Sequence, residues 1–372
     1  MAISNKYVKT EANVLTLCIL SIFRVEMRQK GLKGKMKKKL LLLLAGLMVI
    51  IALTACGSKS QEDVVKKLNS KVEEMKGYKA NAKMTLQIGT EPQVYDVQIW
   101  HKEPNYYRVN LKNEKKDQSQ MILRNDDGVF VLTPALNKSF RFQSEWPQNS
   151  SQAYLYESLV KDILEDKESK FSATKDHYVF ETKTRYQNNK MLPFQEITLN
   201  KKDLSPVSVK VMDTDRNALV TVKFSEVKFN ASFDKNDFDM KKNMTGAQLE
   251  VPVMADSGDK EFTVKYPTAE IPGVSLVDEK VVKTEDGKRV VLTFDGEKSY
   301  TLIQEKAKVM PAEASATFVK GEPVDLGFTV GALSDKMVTW TYQGVDYTIA
   351  SNDLSPEELV TVARSVSESM VK

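Results

Sequence analysis

Polar and apolar residues change period several times along this 372-residue chain. From Gln61 to Lys76, the residues Val64, Val65, Leu68, Val72 and Met75 recur at helical spacing, which predicts an amphipathic helix ended by Gly77. The period then falls to two. Met84, Leu86 and Ile88 alternate with polar neighbours, as do Tyr95, Val97 and Ile99, then Tyr107, Val109 and Leu111. Further strands are expected at Met121–Leu123, Val129–Leu132 and Ser139–Phe142, with Asn125-Asp126-Asp127-Gly128 as the hairpin turn between the first two. A second helix is expected over Gln152–Leu164, from Leu155, Leu159 and Ile163. Strands resume at His177–Thr184, Gln195–Leu199, Val207–Met212 and Leu219–Val227, with a turn at Asp213–Asn217. Phe233–Met244 reads as irregular. The pattern predicts an α+β domain over residues 61–250, a long curved antiparallel sheet whose apolar face is covered by helices.

Residues 251–260 are polar and read as a linker to a small C-terminal α+β domain at 261–372. Its strands are expected at Phe262–Pro267, Val290–Phe294, Tyr300–Gln304, Met337–Tyr342 and Val345–Ala350. The start of its closing helix is explicit. Ser355 supplies a cap, Pro356 the first helical position and Glu358 the third, ahead of a stripe of Leu359, Val362, Ala363, Val366 and Met370.

The N-terminal region carries the clearest chemistry. Lys37, Lys38 and Lys39 precede an apolar run from Leu40 to Leu53, and Leu53-Thr54-Ala55-Cys56-Gly57 follows. A basic segment, an apolar segment and small residues make a secretory signal at 36–55. The run is about 14 residues, short of the roughly 20 needed to span a bilayer. Its Leu-x-Ala-Cys ending resembles the lipobox of bacterial lipoproteins. That resemblance implies cleavage before Cys56, acylation of its thiol, and a tether at 56–60 on the outer face of the cell membrane. Two acyl chains anchor firmly where one is marginal. Because a signal peptide opens its protein, translation is expected to begin at Met36, with residues 1–35 a mis-assigned extension.

Charge and cysteine content then narrow the function. The net charge is +4, but the segment before Cys56 is rich in Lys and Arg, so the remainder is near neutral and no nucleic-acid partner is expected. Of the two cysteines, Cys18 falls in the part expected to be lost and Cys56 is to be acylated, which leaves no disulfide. No cofactor or metal is expected. His101 and His177 share no ligand motif and read as partly exposed strand-end residues. Asp234, Asp237 and Asp239 lack the glycine and terminal glutamate of a calcium loop, so they read as turn residues, like Asp213 and Asp215. No catalytic residue is nominated. The apolar strand faces, Met84, Leu86, Tyr95, Val97, Ile99, Tyr107, Val109, Val220, Val222 and Phe224, are candidate cavity-lining residues. An ordinary packed core beneath the helices is the plainer account of the same residues.

Several segments resemble the LolA-like lipoprotein carriers. Trp100-His101-Lys102-Glu103-Pro104-Asn105-Tyr106-Tyr107-Arg108 is similar to that family's strand ending in Trp and Pro. Asn125 to Pro134 is similar to its Asp-Gly hairpin, and Phe233 to Met240 to its closing segment. The layout as a whole resembles the YdcC/GerS-type sporulation lipoproteins of Gram-positive spore formers. The resemblance implies an unclosed antiparallel β-barrel with a helical lid. It also implies a membrane-anchored, non-catalytic protein serving sporulation or germination through an envelope protein partner. Two alternatives accompany it: a carrier holding a lipid or acyl chain, and an RseB-like regulator of an anti-sigma factor. Where the carriers place an arginine before the proline, this chain has Glu103.

Overall fold

The computed structural model describes residues 59–87, 92–114, 119–149, 151–186, 190–234, 236–250, 262–284, 287–311 and 315–366. The signal segment, Cys56, the 251–260 linker, Ile88 and Met370 lie outside the described residues. From Ser60 onward the chain forms one compact unit built on two sheets.

Helix α1 spans Gln61–Glu74. Its start is fixed by a capping box in which Ser60 Oγ accepts from Asp63 N at 3.2 Å and the Asp63 carboxylate accepts from Ser60 N at 3.4 Å. Met75 closes the helix in extended conformation. Gly77 therefore opens the first strand rather than stopping the helix. Its φ is +145°, and a Cβ there would meet His101 O at 2.3 Å.

The first sheet runs through β1 (Gly77–Leu86), β2 (Gln93–Lys102), β3 (Tyr106–Asn113), β4 (Ser119–Asn125), β5 (Gly128–Thr133), β6 (Lys138–Phe142), β7 (Lys170–Ala173), β8 (His177–Lys183), β9 (Phe194–Asn200), β10 (Pro206–Met212) and β11 (Ala218–Phe229). β1–β6 and β7–β11 are two meanders, joined where β1 pairs with β11. The outermost strands do not meet, so the sheet is an open one and not a closed barrel. One face is covered by α1 and by α2 (Tyr156–Glu165), through Val64, Leu68, Leu159, Val160 and Ile163. This is the α+β arrangement that the strand periods predict.

Two local expectations need correction. α2 begins at Tyr156 rather than Gln152, because Gln152 N donates to Ser158 Oγ at 2.8 Å and holds the preceding residues in a turn. The stretch read as irregular contains α3 (Met240–Glu250), whose first turn is capped by Asp239: Lys242 N donates to its Oδ1 at 2.7 Å. Together with Phe238, α3 covers Met121, Leu123, Phe130 and Leu132 on the sheet's other face.

The second sheet contains β12 (Val274–Thr284), β13 (Gly287–Gly296), β14 (Tyr300–Lys306), β16 (Glu322–Asp325), β17 (Val330–Leu333), β18 (Met337–Tyr342) and β19 (Val345–Ala350), in the order β12-β13-β14-β19-β18-β17-β16. α4 (Pro356–Ser365) packs on it through Leu359, Val362, Ala363 and Val366, with the Ser355–Glu358 capping box formed as the sequence predicts. Phe262–Pro267 is not a strand. It is an extended segment held by the fully buried amide of Gln304, whose Nε2 donates to Lys265 O at 2.7 Å and whose Oε1 accepts from Lys265 N at 2.9 Å. One side chain satisfies the backbone groups that a neighbouring strand would otherwise pair.

Candidate partner site at the seam between the sheets

The second half of the chain is stitched to the first along one seam. β15 (Thr317–Val319) adds to the first sheet, parallel to β6, with Thr317 opposite Phe140 and Val319 opposite Phe142. On β4, Gln120 Oε1 accepts from Val330 N at 2.8 Å and from Thr329 Oγ1 at 2.9 Å. Tyr95 Oη lies 2.9 Å from both Gln93 Oε1 and Phe328 O, and its single proton serves one of them at a time. Lys138 pairs with Asp346, which also accepts from Thr341 Oγ1 at 2.6 Å.

Two spaces open along this seam. The inner one is a cavity of about 50 Å³ between Met84, Tyr95 and Leu111 on one side and Phe328, Val330 and Tyr342 on the other. Ser119 Oγ and Tyr154 Oη are buried in its wall without a hydrogen-bond partner among the described residues. A water needs about 10–15 Å³, so the cavity suits a few waters that would satisfy these hydroxyls. The outer space is an open groove of about 320 Å³. Ser139 and Phe140 of β6 form one wall, and Thr339, Thr341, Thr348 and Glu305 line the face of the second sheet.

Of the candidate lining residues, Met84 and Tyr95 reach the inner cavity. Leu86, Val97, Ile99, Tyr107, Val109 and Val222 are 0–1 % exposed within the first core, and Val220 and Phe224 are half-buried against it. The groove residues carry no signal in the sequence. Alternating Thr and apolar residues on β18 and β19 read as any strand with one wet face.

His177 is half-buried at the start of β8, as expected, but the reading of His101 needs correction. His101 is 5 % exposed, because β2 continues through Lys102 and α2 lies over it. Its Nδ1 lies 3.1 Å from Tyr106 O and therefore carries a proton, while Nε2 faces Glu157 Oε1 at 3.0 Å. Tyr78 Oη donates to the other Glu157 oxygen at 3.2 Å. Burial pushes Glu157 up to about 7 and His101 down to about 4. The pair thus shares one proton and clamps α2 to the sheet. The acidic turns are satisfied locally: Asp237 accepts from Asp234 N at 2.9 Å, and Asp213 from Asn217 N at 2.8 Å. Among the described residues, no cluster of three His, Cys, Asp or Glu side chains is placed to hold a metal ion.

Residues 36–238 match the family described as "Sporulation protein YdcC-like". The chain is 60 % identical over 333 residues to the sporulation protein YdcC of Bacillus subtilis, covering 89 % of this chain and 98 % of that one. Among solved structures, it is similar to a chain of the Pseudomonas aeruginosa MucA/MucB complex, at 14 % identity with 82 % and 97 % of the two chains covered and a TM-score of 0.32. It is also similar to a chain in the complex of the Clostridioides difficile CwlD amidase with the GerS lipoprotein, at 19 % identity, 48 % and 98 % coverage, and a TM-score of 0.28. At these scores the structural likenesses carry no weight for function.

Proposed function

The chain belongs to the YdcC-like family of sporulation proteins, and from that premise we propose that it serves sporulation or germination as a lipid-anchored, non-catalytic protein that holds an envelope protein partner. Cys56 carries the anchor, and everything after it faces outward, since Lys37–Lys39 favour the inner side of the membrane. The observation that supports partner binding over lipid carriage is the difference in free space along the seam. The inner cavity is about 50 Å³ and the outer groove about 320 Å³. Small-molecule pockets occupy about 300–1,000 Å³, so the inner space is too small for an acyl chain. The outer groove is open, lined by hydroxyls, and suited to an extended polypeptide segment.

Two experiments test the two halves of this reading. Cys56→Ala should abolish incorporation of a labelled fatty acid and leave the signal segment uncleaved, since Cys18 precedes that segment. Label retained on Cys56→Ala would refute the anchor. In the groove, Thr339 and Thr348 are direct cross-strand neighbours, so Thr339→Arg and Thr348→Arg should fill it without touching either core. Each should lower the yield of germination-competent spores while the protein persists at its usual level. Normal spores from the double variant would refute the groove as the partner site.

A further inference from the structure

Sheet edges with free backbone groups invite another strand, and proteins usually blunt them. Three of the four edges described here are blunted by length: β7 and β16 have four residues each, β15 has three, and β16 also contains Pro323. The fourth is not. β12 is 11 residues long, ends its sheet, and is exposed from Ser275 through Lys283. Val281 is 57 % exposed, and Leu276, Val277 and Val282 are also exposed.

The order of residues on this edge says what fits it. A register shift between Leu276 and Asp278 marks a bulge, beyond which Val274–Leu276 pair in a different register, and the longest uninterrupted stretch runs from Asp278 to Thr284. In that stretch Glu279, Val281 and Lys283 share one face. Laid antiparallel on a second copy about Val281, the stretch places Glu279 opposite the other copy's Lys283, Val281 opposite Val281, and Lys283 opposite Glu279. Glu279 is already held on this face by Tyr266 Oη, which donates to it at 2.9 Å. Shifting the register by two residues sets Val281 against Lys283 in one direction or against Glu279 in the other, and the matched acid–base pairs are lost. Shifting it by four residues sets Lys283 against Lys283 or Glu279 against Glu279, and like charges opposite one another are unfavourable.

We propose that β12 pairs antiparallel with β12 of a second copy, in the register centred on Val281, forming a two-fold dimer through one continuous sheet. A two-fold contact uses the same patch on both copies, as this palindromic order of acid, apolar and base requires. Seven paired residues make a small interface compared with the roughly 1,200–2,000 Å² of stable complexes, so the dimer is reversible.

The register makes the test specific. Directly opposed residues in an antiparallel pair have Cα atoms about 4.5–5.5 Å apart, within disulfide range, whereas diagonal neighbours lie about 7–8 Å apart. Membranes carrying the full chain as Val281→Cys, treated with a mild thiol oxidant, should give a disulfide-linked dimer on a non-reducing gel. Val282→Cys, which lies diagonal to its own copy, should give several-fold less, and the wild-type chain sets the background. In the Val281→Cys background, Glu279→Lys or Lys283→Glu alone should lower the yield, and the two together should restore it. Equal yields at 281 and 282, no dimer above background, failure of the double swap to restore it, or crosslinking of Val281→Cys to a different protein would each overturn the proposal.

Discussion

Between pH 5 and 8 the wild-type chain should lose roughly 3 kcal/mol of stability relative to Glu157→Gln, through that one carboxyl. Burial lifts the folded-state value of Glu157 from 4.5 to about 7. A raised carboxyl contributes its full stability below pH 4.5, where both states are protonated, and loses it as pH climbs through about 7. His101 acts in the opposite sense. Its folded value is depressed from 6.5 to about 4, so its contribution is complete above 6.5 and is lost as pH falls through 4. Stability from this cluster is therefore greatest between the two losses, where Glu157 and His101 hold a single proton. Tyr78, Tyr107 and Tyr156, the phenols that pack around the pair, are all pushed upward by burial and remain neutral throughout. A glutamine at 157 can accept from Tyr78 and donate to His101 Nε2 without titrating. Thermal melts at pH 5, 6, 7 and 8 read the outcome. Wild-type melting temperature should change little from pH 5 to 6.5, where the Glu157 loss and the His101 gain offset each other, and fall only slightly by pH 7. The variant, left with His101 alone, should rise to about pH 6.5 and then level. Parallel curves for the two proteins would show that Glu157 does not titrate as its burial dictates.

The sequence makes the strand faces legible because each is an uninterrupted alternation with one buried side. Tyr95, Val97 and Ile99, or Tyr107, Val109 and Leu111, need no tertiary information to be placed on one face. The capping box at Ser355 is equally local. What escapes is whatever depends on a distant partner. β12 has apolar residues on both sides, so its period is obscured, and β15 is a strand only because β6 lies beside it. Phe262–Pro267 alternates as a strand does, yet a single glutamine, 39 residues away in the chain, takes the place of its neighbour. The seam is invisible for the same reason: Gln120, Thr329 and Asp346 are ordinary polar residues until the two sheets meet. His101 reads as a strand end because Pro104 follows closely, and nothing local reveals that α2 brings Glu157 over it.

Val97→Trp should destabilise the fold by at least about 1–3 kcal/mol, and fatty acid should raise the melting temperature of neither variant nor wild type. Val97 is 1 % exposed near the middle of β2, with Ala82 opposite it on β1 and Leu111 opposite it on β3. Helices α1 and α2 close over that face, and their buried residues belong to the same core as Val97. An indole there has nowhere to go without moving a strand or lifting the helices, since interiors are packed near the density of organic crystals. In a carrier the opposite holds: a ligand-sized void beneath the helices leaves its wall atoms short of contacts, so a larger side chain gains them. A ligand that binds only the folded state must also raise its melting temperature by mass action. The two readings therefore disagree in sign on both measurements. A melt of Val97→Trp at or above wild type, together with a fatty-acid shift in the wild type that the variant lacks, would establish an acyl-binding cavity under α1 and α2. Loss of stability in the variant, with no lipid shift in either protein, rejects the carrier reading and leaves partner binding standing.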